Sequence, residues 1–467
     1  MVADGTGSPL RRADVAVKDG TILAIVEPSD EVIASDAMVA GSGRVIDATG
    51  HIVAPGFIDT HTHDDFAVII YPEMRFKVLG GVTTCIVGNC GLGAAPFEPA
   101  STMAASFHPN AELSRWDGYA GFLDTVEAAQ PSVNVAALMG HGTIRLGAMG
   151  AAKRPCSEAE LQAMTAAVEE GLAAGCIGLS TGLIYVPGTF AETDELVALS
   201  EVVGRAGGIY TSHIRNEGDG LLTAVAEAID VGRRASLPVV ISHLKATGEE
   251  NWGRVSEAIE LIESARAEGL TVNADQYPYT AGSTSLGALV SQGAFRSDKG
   301  GLGLLPPESV VLASSATNPE WIGQNMAQLA ELLGCDPADA ADVVCAADPR
   351  STCILHRMSE ADVQTVLATP GIMIGSDGLP TMEGKPHPRL YATFARVLGH
   401  YSRELGLLPV EEAVHRMTGK PAEVFGLVDR GRIAVGAHAD ITVFDPNAII
   451  DTATYDDPHQ HHPASRP

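Results

Sequence analysis

Basic residues are scarce in this sequence. Its 467 residues include 30 lysines and arginines against 58 aspartates and glutamates, a formal net charge of −28 at pH 7. A field of this sign repels phosphate backbones and anionic lipid surfaces, so nucleic acids and membranes are poor candidate partners. A small molecule is the expected partner, and the sequence does not indicate an oligomeric state.

Long apolar runs and regularly spaced cysteines are also missing. No stretch approaches the roughly 20 apolar residues that span a bilayer, and the first residues carry no basic region followed by an apolar run. The seven cysteines are odd in number and scattered, which disfavours a disulfide framework and leaves room for one thiolate with a chemical role. We therefore expect a cytoplasmic protein.

Aromatic residues make up only 5% of the chain, whereas 45% of it is hydrophobic and 50 residues are glycine. This composition argues against a disordered or fibrous chain and is typical of an α/β enzyme rich in Ala, Gly and Val. Because one α/β barrel takes about 250 residues or more, the length predicts one large barrel with smaller additions.

Short apolar runs alternate with helical patterns from about residue 52 onward, as in repeated βα units around a parallel sheet. Helical patterns with apolar residues at spacings of three and four include 157–174 and 252–268. The candidate strands are 52–60, 83–88, 133–140, 177–181, 208–212, 238–242, 270–274 and 371–376. Eight strands predict a (β/α)8 TIM barrel.

The remaining sequence predicts two additions to a barrel at 52–429. About 286–366 is too long for one βα connection, so we interpret it as an insertion before the last barrel strand. Either a lid over the site or a surface subdomain without a catalytic part fits this insertion. The termini, 1–51 and 430–467, contain short β segments separated by Asp-Gly and Gly turns, and we expect them to pair into one small β domain.

The first predicted barrel strand ends in Pro55-Gly56-Phe57-Ile58-Asp59-Thr60-His61-Thr62-His63. Alternate residues of a strand lie on one face, and the carboxyl ends of barrel strands face the mouth where TIM-barrel active sites lie. Two histidines at this spacing mean little alone. After an apolar strand of this kind, however, His61 and His63 are candidate ligands of one metal.

The fifth and sixth predicted strands each end in Ser-His, at Ser212-His213 and Ser242-His243. A lone strand-end histidine is usually a hydrogen-bonded structural residue. Two of them on adjacent strands, in the same terminal position, converge in a barrel. This arrangement predicts that His213 and His243 are metal ligands.

A cysteine is the fifth candidate ligand. Cys90 lies just past the second strand on the turn Gly88-Asn89-Cys90-Gly91. Zn²⁺ takes cysteine and histidine together and lowers the pKa of the bound thiol, so zinc is the expected metal. Without the other ligands Cys90 would be interpreted as structural, and Cys85, inside the same strand, is expected to be buried and inert.

The eighth predicted strand ends in Gly375-Ser376-Asp377-Gly378, which places a carboxylate at the mouth. A metal lowers the pKa of a water that it binds toward about 7, and a nearby carboxylate can take the proton and pass it to a leaving amine. Asp377 is therefore the predicted general base and acid. The alternative is a turn aspartate that caps the following loop.

Taken together, these residues resemble the amidohydrolase superfamily, which carries His-x-His on strand one, histidines on strands five and six, and an aspartate on strand eight. Further segments, spread through nearly the whole chain, resemble its N-acyl-D-amino-acid deacylases (D-aminoacylases). They are Gly88-Asn89-Cys90-Gly91, Gly178-Leu179-Ser180-Thr181-Gly182-Leu183-Ile184-Tyr185, Ser212-His213-Ile214-Arg215-Asn216-Glu217, Ser242-His243-Leu244-Lys245, Tyr277-Pro278-Tyr279-Thr280-Ala281-Gly282-Ser283, Ser376-Asp377-Gly378-Leu379-Pro380 and His387-Pro388-Arg389.

The resemblance implies zinc-dependent hydrolysis of an N-acyl-D-amino acid to a carboxylate and a free D-amino acid. It also implies that Cys90, His213 and His243 hold one tight zinc ion, while His61 and His63 form a second, weaker divalent site. Many relatives bridge two metals with a lysine or glutamate on strand four. This chain has Ser180-Thr181 there, which fits the deacylases, where a cysteine takes the bridging place.

The substrate of such an enzyme carries an α-carboxylate, which needs local positive charge and hydroxyl groups. The positions that the resemblance assigns to it are Lys245, Tyr277, Ser283 and Arg389. Tyr185 is the candidate donor to the scissile carbonyl as it becomes an oxyanion. Arg389 fits a surface ion pair and Tyr185 a packed aromatic equally well, and His141, at the end of strand three, is a further pocket candidate.

Two other readings stay open. Cyclic-amide hydrolases of the dihydroorotase or hydantoinase kind share the barrel and the His-x-His, but normally have the strand-four lysine. A non-catalytic protein on this fold would be expected to have lost ligands. Deacylases of this type usually carry one further β-strand at each end, so we expect this chain to be shortened at both ends and its small β domain to be less stable. The preferred side chain and acyl group are not fixed by the sequence.

Overall fold

Eight parallel strands form one sheet in the computed structural model, which describes residues 1–27, 43–108, 111–297 and 301–460. In chain order these barrel strands are Phe57–Asp59, Val82–Val87, Asn134–Gly140, Gly178–Gly182, Ile209–His213, Val239–Ile241, Val272–Gln276 and Ile372–Ile374. Each pairs with the next in sequence. We call them the first to the eighth barrel strand.

The first and eighth barrel strands meet and close the sheet. Thr60 Oγ1 donates a hydrogen bond to the Ile374 carbonyl over 3.1 Å, and Thr62 pairs with Gly378 in a parallel bridge just beyond the strand ends. The (β/α)8 barrel that the sequence predicts is confirmed. All eight carboxyl ends therefore open at one mouth, where the predicted site residues lie.

The predicted strand 52–60 is two strands, not one. Ile52–Pro55 pairs antiparallel with Ile441–Phe444 near the other end of the chain, whereas Phe57–Asp59 pairs with the second barrel strand. Gly56 separates them, and a Cβ at this position would collide with the side chain of Thr83. Proline cannot donate to a ladder and glycine marks a close backbone approach, so Pro55-Gly56 ends one pairing and begins the other.

Helices cover the outside of the barrel. In chain order they are Ala67–Ile70, Arg75–Val78, Phe97–Phe107, Gly118–Ala129, His141–Met149, Glu158–Ala174, Thr193–Arg205, Leu221–Ala235, Val255–Ala267, Glu360–Ala368, Arg389–Arg396, the π-helical Val397–Glu404, Val410–Met417 and Gly419–Val424. The helix predicted at 157–174 begins at Glu158, because Ser157 is its N-cap and forms a capping box with Glu160.

The chain between the seventh and eighth barrel strands forms a unit with its own core. Its three antiparallel strands are Gly282–Ser285, Val310–Ser314 and Thr352–Leu355, and its helices are Leu286–Ser291, Met326–Leu333 and Pro337–Ala347. Leu286, Leu312 and Leu329 are fully buried inside it. The helix Glu360–Ala368, which the predicted range 286–366 includes in part, packs on Val255–Ala267 of the barrel instead.

Segments from both ends of the chain lie together beside the barrel. Asp14–Lys18 and Thr21–Val26 form an antiparallel hairpin, and the Ile22 backbone N–H donates to the Ala437 carbonyl over 2.9 Å. The predicted small β domain includes 28–42 and 461–467, which lie outside the described residues. Within the described ranges no helix is long and apolar enough to cross a membrane, and the cytoplasmic location stays a prediction.

Candidate metal centre

The predicted metal ligands converge at the barrel mouth. Two groups of donor atoms lie within 4.8 Å of one another, and each member is buried: His61, His63, Cys90 and Asp377 in one, Cys90, His213 and His243 in the other. Cys90 belongs to both groups. Its Sγ lies 3.2 Å from His61 Nε2 and 3.5 Å from His243 Nε2, so the thiol lies between the two groups of donor atoms.

Three of these residues have an unusual backbone. Cys90, His243 and Asp377 have φ values of +54°, +37° and +50°, in the left-handed region. This region costs a residue with a side chain about 1–2 kcal/mol. Each residue lies two or three positions past the end of a barrel strand, in a tight turn at the mouth. Strain retained at such positions is typical of functional sites.

The donor set fits a zinc ion. Burial alone would raise the pKa of Cys90, but His61, His213 and His243 around it hold that pKa well below its ordinary value, which favours the thiolate. His213 is buried, and neither of its ring nitrogens has a hydrogen-bond partner among the described residues. One thiolate and two imidazoles within ligand reach of one another are a common zinc set.

Two carboxylates behind the histidines were missed by the sequence reasoning. Asp275 Oδ1 accepts a hydrogen bond from the His243 backbone N–H over 2.6 Å and lies 3.5 Å from His61 Nδ1. Glu217 Oε1 lies 3.2 Å from His243 Nδ1. Carboxylates behind metal-binding imidazoles help to orient them. Their sequence signals were an aspartate near a strand end and a glutamate that closes the deacylase-like segment beginning at Ser212.

A buried lysine supports the closure of the barrel beneath the site. Lys77 Nζ donates to Asp59 Oδ2 over 2.7 Å and to Ser376 Oγ over 2.9 Å, and it lies 3.2 Å from Asp64 Oδ2. Asp59 Oδ1 in turn accepts from the Ser376 backbone N–H over 2.7 Å. Burial would lower the pKa of Lys77, but Asp59 and Asp64 raise it above its ordinary value. The ammonium therefore holds the first and eighth barrel strands together.

We expect Lys77→Met to destabilise the fold strongly, because it leaves the carboxylates of Asp59 and Asp64 buried without a cation. The expected loss is about 3–5 kcal/mol in the free energy of unfolding, measured by urea titration. Lys420→Met is the matched control, since Lys420 pairs with the exposed Glu423 at 3.6 Å, and it should change stability by less than about 0.5 kcal/mol. Equal midpoints for the two variants would contradict the role of Lys77.

Asp377 is held between histidines and an arginine. Its Oδ1 lies 3.1 Å from His63 Nε2, and Arg389 Nη2 lies 2.9 Å from its Oδ2. Burial would raise the pKa of Asp377, but Arg389, His61 and His63 hold it well below its usual range, so the carboxylate is ionised at neutral pH. The reading of Arg389 as a surface ion pair is wrong, because this side chain is only 1% exposed.

The other predicted substrate residues surround the same space. Lys245 Nζ contacts Glu217 Oε1 at 2.5 Å and His243 Nδ1 at 2.8 Å. Tyr277 lies under the Arg389 guanidinium, 4.4 Å from its ring centroid, and Arg389 also donates to the Ser283 carbonyl. The Tyr185 ring stands edge-on to His213, with centroids 4.9 Å apart. The substrate roles of these residues stay predictions.

A cavity of about 220 Å³ connects these side chains. Tyr185, Lys245, Tyr277 and Ser283 line it together with the metal-ligand candidates. His141 does not line it: its Nε2 lies 2.8 Å from Glu195 Oε1 in a buried network with Arg145. Arg389 lies behind the cavity wall, and its Nε and Nη1 are buried with no hydrogen-bond partner among the described residues.

Comparison with known proteins decides the family. The model of the Amidohydrolase family matches residues 44–293 and 308–464. An N-acyl-D-glutamate deacylase of Alcaligenes xylosoxydans xylosoxydans is 41% identical over 457 residues, which cover 98% of this chain and 88% of the relative. A D-aminoacylase of the same organism is 40% identical over 456 residues, with 97% and 88% covered. The chain belongs to the N-acyl-D-amino-acid deacylase family of amidohydrolases.

A solved structure agrees with this membership. The N-acyl-D-glutamate deacylase from Bordetella bronchiseptica, complexed with zinc and a phosphonate mimic of the tetrahedral intermediate, superposes with a TM-score of 0.87. It is 39% identical, and the match covers 98% of this chain and 91% of that chain. The resemblance to the deacylases is therefore confirmed over nearly the whole sequence.

The fourth barrel strand of this deacylase-family chain explains how a cysteine reaches the centre. Ser180 Oγ accepts a hydrogen bond from the Gly91 backbone N–H over 3.0 Å and donates one to the Gly88 carbonyl. Both partners flank Cys90 in the same turn. Ser180 therefore holds the turn that places the Cys90 thiol between the two donor groups.

Proposed function

We propose that this chain is a zinc-dependent N-acyl-D-amino-acid deacylase, which hydrolyses the amide bond to give a carboxylate and a free D-amino acid. The observation that carries the proposal is the position of Cys90, shared by both donor groups, in a chain so similar to proteins named for this activity. The preference for D- over L-amino acids is inferred from the names of those relatives.

Cys90, His213 and His243 would hold the tight zinc ion, and His61 and His63 a second, weaker divalent ion beside Asp377. Bound zinc supplies a Lewis acid that polarises an acyl oxygen and lowers the pKa of water. This order of affinity is the one that the resemblance to the deacylases implies, and the set of one thiolate with two imidazoles suits zinc.

Asp377 is the proposed general base and acid. Its carboxylate is ionised at neutral pH and stands beside His63 at the mouth, where it can take a proton from the attacking water. It then returns this proton to the leaving amine nitrogen, which cannot depart as an anion. Tyr185 lines the cavity next to His213. From there its hydroxyl group can donate a hydrogen bond to the developing oxyanion.

The substrate α-carboxylate needs donors at the other side of the reacting bond. Lys245, Tyr277 and Ser283 line the cavity, and Arg389 lies behind Tyr277 with two buried donor atoms unpartnered in the described part of the chain. These groups carry the positive charge that an acidic protein must provide locally. Together they would hold the α-carboxylate in one place. This would decide which enantiomer brings its amide bond to Asp377.

A paired assay tests this function. Zinc-loaded protein is incubated with matched N-acetyl-D- and N-acetyl-L-amino acids, and the free amine released is measured. We expect release from the D-series, with kcat/KM at least about 100-fold above the L-series, and none from hydantoin or dihydrouracil, which cyclic-amide hydrolases would open. Turnover of the L-series alone would overturn the proposal.

A further inference from the structure

A buried histidine outside the metal centre has a partner at each of its ring nitrogens. His387 is 3% exposed and lies two residues before Arg389, in the loop after the eighth barrel strand. Its Nε2 lies 2.9 Å from the Ala281 carbonyl oxygen, and its Nδ1 accepts a hydrogen bond from the Arg389 backbone N–H over 3.0 Å. The imidazole ring therefore connects two chain segments that are 106 positions apart.

These two partners define the protonation state of the ring. A carbonyl oxygen only accepts hydrogen bonds, so Nε2 carries a hydrogen, whereas Nδ1 faces an N–H group and carries none. A protonated ring would lose its acceptor at Nδ1. Burial and the nearby Arg389 hold the pKa of His387 well below its ordinary value, which agrees with a neutral ring. His387 thus donates at one nitrogen and accepts at the other.

The N–H group that His387 accepts from stands at the start of a helix. Arg389 is the first residue of the helix Arg389–Arg396, and the N–H groups of a first helical turn have no carbonyl partner within the helix. Pro388, at the N-cap, has no side-chain acceptor to offer. His387 supplies this acceptor, and so fixes the point of the backbone from which the Arg389 side chain extends.

Three tyrosines hold the His387 ring in its orientation. The ring centroids of Tyr279, Tyr455 and Tyr277 lie 5.1, 5.0 and 6.4 Å from that of His387, each in an edge-on arrangement. Tyr277 also lies under the Arg389 guanidinium. Edge-to-face contacts favour defined ring orientations, so the imidazole cannot turn away from its two hydrogen-bond partners without losing these contacts as well.

Both segments that His387 connects carry residues of the proposed α-carboxylate site. Ser283 lies two residues after the carbonyl group that His387 binds, in the strand Gly282–Ser285, and it lines the cavity. Arg389 spans the two segments, because its Nη2 donates to the Ser283 carbonyl over 3.3 Å and lies 2.9 Å from Asp377 Oδ2. The ring of His387 and the guanidinium of Arg389 therefore set the spacing of these segments together.

We propose that His387 is a positioning residue for the substrate α-carboxylate: it holds the segments of Ser283 and Arg389 at the spacing at which they bind this group together. The inference rests on the proposed function and adds a residue to it. His387 is not among the described residues that line the cavity, so it acts through its neighbours. Donors that are displaced by about 1 Å can cost a large factor in rate, which is why such a spacing matters.

The test compares the N-acetyl-D-amino acid that the zinc-loaded enzyme hydrolyses fastest with its α-carboxamide, which has nearly the same shape without the charge. For the parent enzyme we expect kcat/KM of the acid to exceed that of the carboxamide at least about 100-fold. His387→Leu removes both hydrogen bonds. It should lower this acid-to-carboxamide ratio at least about tenfold, mainly through a higher KM for the acid, while zinc per chain stays unchanged. A purely structural role would lower both values equally, so an unchanged ratio would overturn the proposal.

Two further variants each keep one of the hydrogen bonds, and they serve also if His387→Leu does not fold. His387→Asn places an oxygen near the position of Nδ1, where it can accept from the Arg389 N–H. His387→Gln places a nitrogen near the position of Nε2, where it can donate to the Ala281 carbonyl. We expect each to lower the acid-to-carboxamide ratio about threefold to tenfold. If both keep the ratio of the parent, the proposal is wrong.

His141→Leu is the matched control for lost stability. His141 is also fully buried, and its Nε2 lies 2.8 Å from Glu195 Oε1, away from the cavity. Whatever its urea midpoint, this variant should keep the acid-to-carboxamide ratio within about twofold of the parent. A fall as large as in His387→Leu would contradict the proposal. If the parent hydrolyses the acid and the carboxamide equally, this inference fails alone, whereas hydrolysis of neither would overturn the proposed function.

Discussion

Cys90→Ala is expected to lose the tightly bound zinc ion and to lower kcat/KM by about 10³-fold or more. Cys90 supplies the only thiolate of either donor group, and its Sγ lies within 3.5 Å of both His61 and His243. Without Cys90, only the imidazoles of His213 and His243 remain in the tight set. Two protein ligands are too few to retain zinc when the protein is diluted. Zinc per chain by plasma mass spectrometry and steady-state hydrolysis of an N-acetyl-D-amino acid check both parts.

Cys85→Ala is the matched control for this variant. Cys85 lies five residues earlier in the second barrel strand and is fully buried, and burial raises the pKa of its thiol well above the ordinary value. We expect the control to keep one zinc ion per chain and to lose only stability, by about 1 kcal/mol for the small cavity. A Cys90→Ala protein that binds zinc and works as well as Cys85→Ala would refute the assignment of the ligand.

Asp377→Asn is expected to lower kcat by about 10²–10⁴-fold while the tight zinc ion remains bound. Asparagine keeps the shape of the side chain but cannot accept the proton that the attacking water gives up. Asp377 is not in the group formed by Cys90, His213 and His243, so its replacement leaves those three donors in place. Steady-state kinetics and metal analysis of the same preparation separate the two effects.

Asp429→Asn controls for the backbone at this position. Asp377 and Asp429 both have a left-handed backbone, with φ values of +50° and +58°, and Asp429 is exposed on the surface. Asparagine is tolerated in that region, so the same substitution at Asp429 should leave kcat unchanged. A value of kcat for Asp377→Asn within fivefold of the parent would exclude Asp377 as the proton acceptor.

Much of the centre could be predicted from sequence because barrel geometry is regular. His61 and His63 stand two residues apart just past the first barrel strand, His213 ends the fifth and His243 lies two residues past the sixth, so a common mouth brings all four together. The same reasoning placed Asp377. These inferences needed only local patterns and the rule that parallel strands end on one side.

The supporting groups could not be predicted, because their partners are distant in sequence. Lys77 contacts Ser376 across 299 positions, and no local pattern connects a short helix to the last barrel strand. The break at Gly56 depends on the partner strand Ile441–Phe444, which the 52–60 run does not reveal. The sequence alone fits Arg389 to a substrate site or to a surface ion pair, whereas its burial beside Asp377 depends on the fold.

The coordination of zinc by Cys90 is the central claim, and X-ray absorption at the zinc edge tests it most directly. The enzyme is loaded with one zinc ion per chain and measured beside the Cys90→Ala variant at the same zinc content. We predict one sulfur scatterer at about 2.3 Å, with nitrogen or oxygen ligands at about 2.0–2.1 Å, in the parent protein only. A spectrum of the parent that fits nitrogen and oxygen ligands alone would contradict the account.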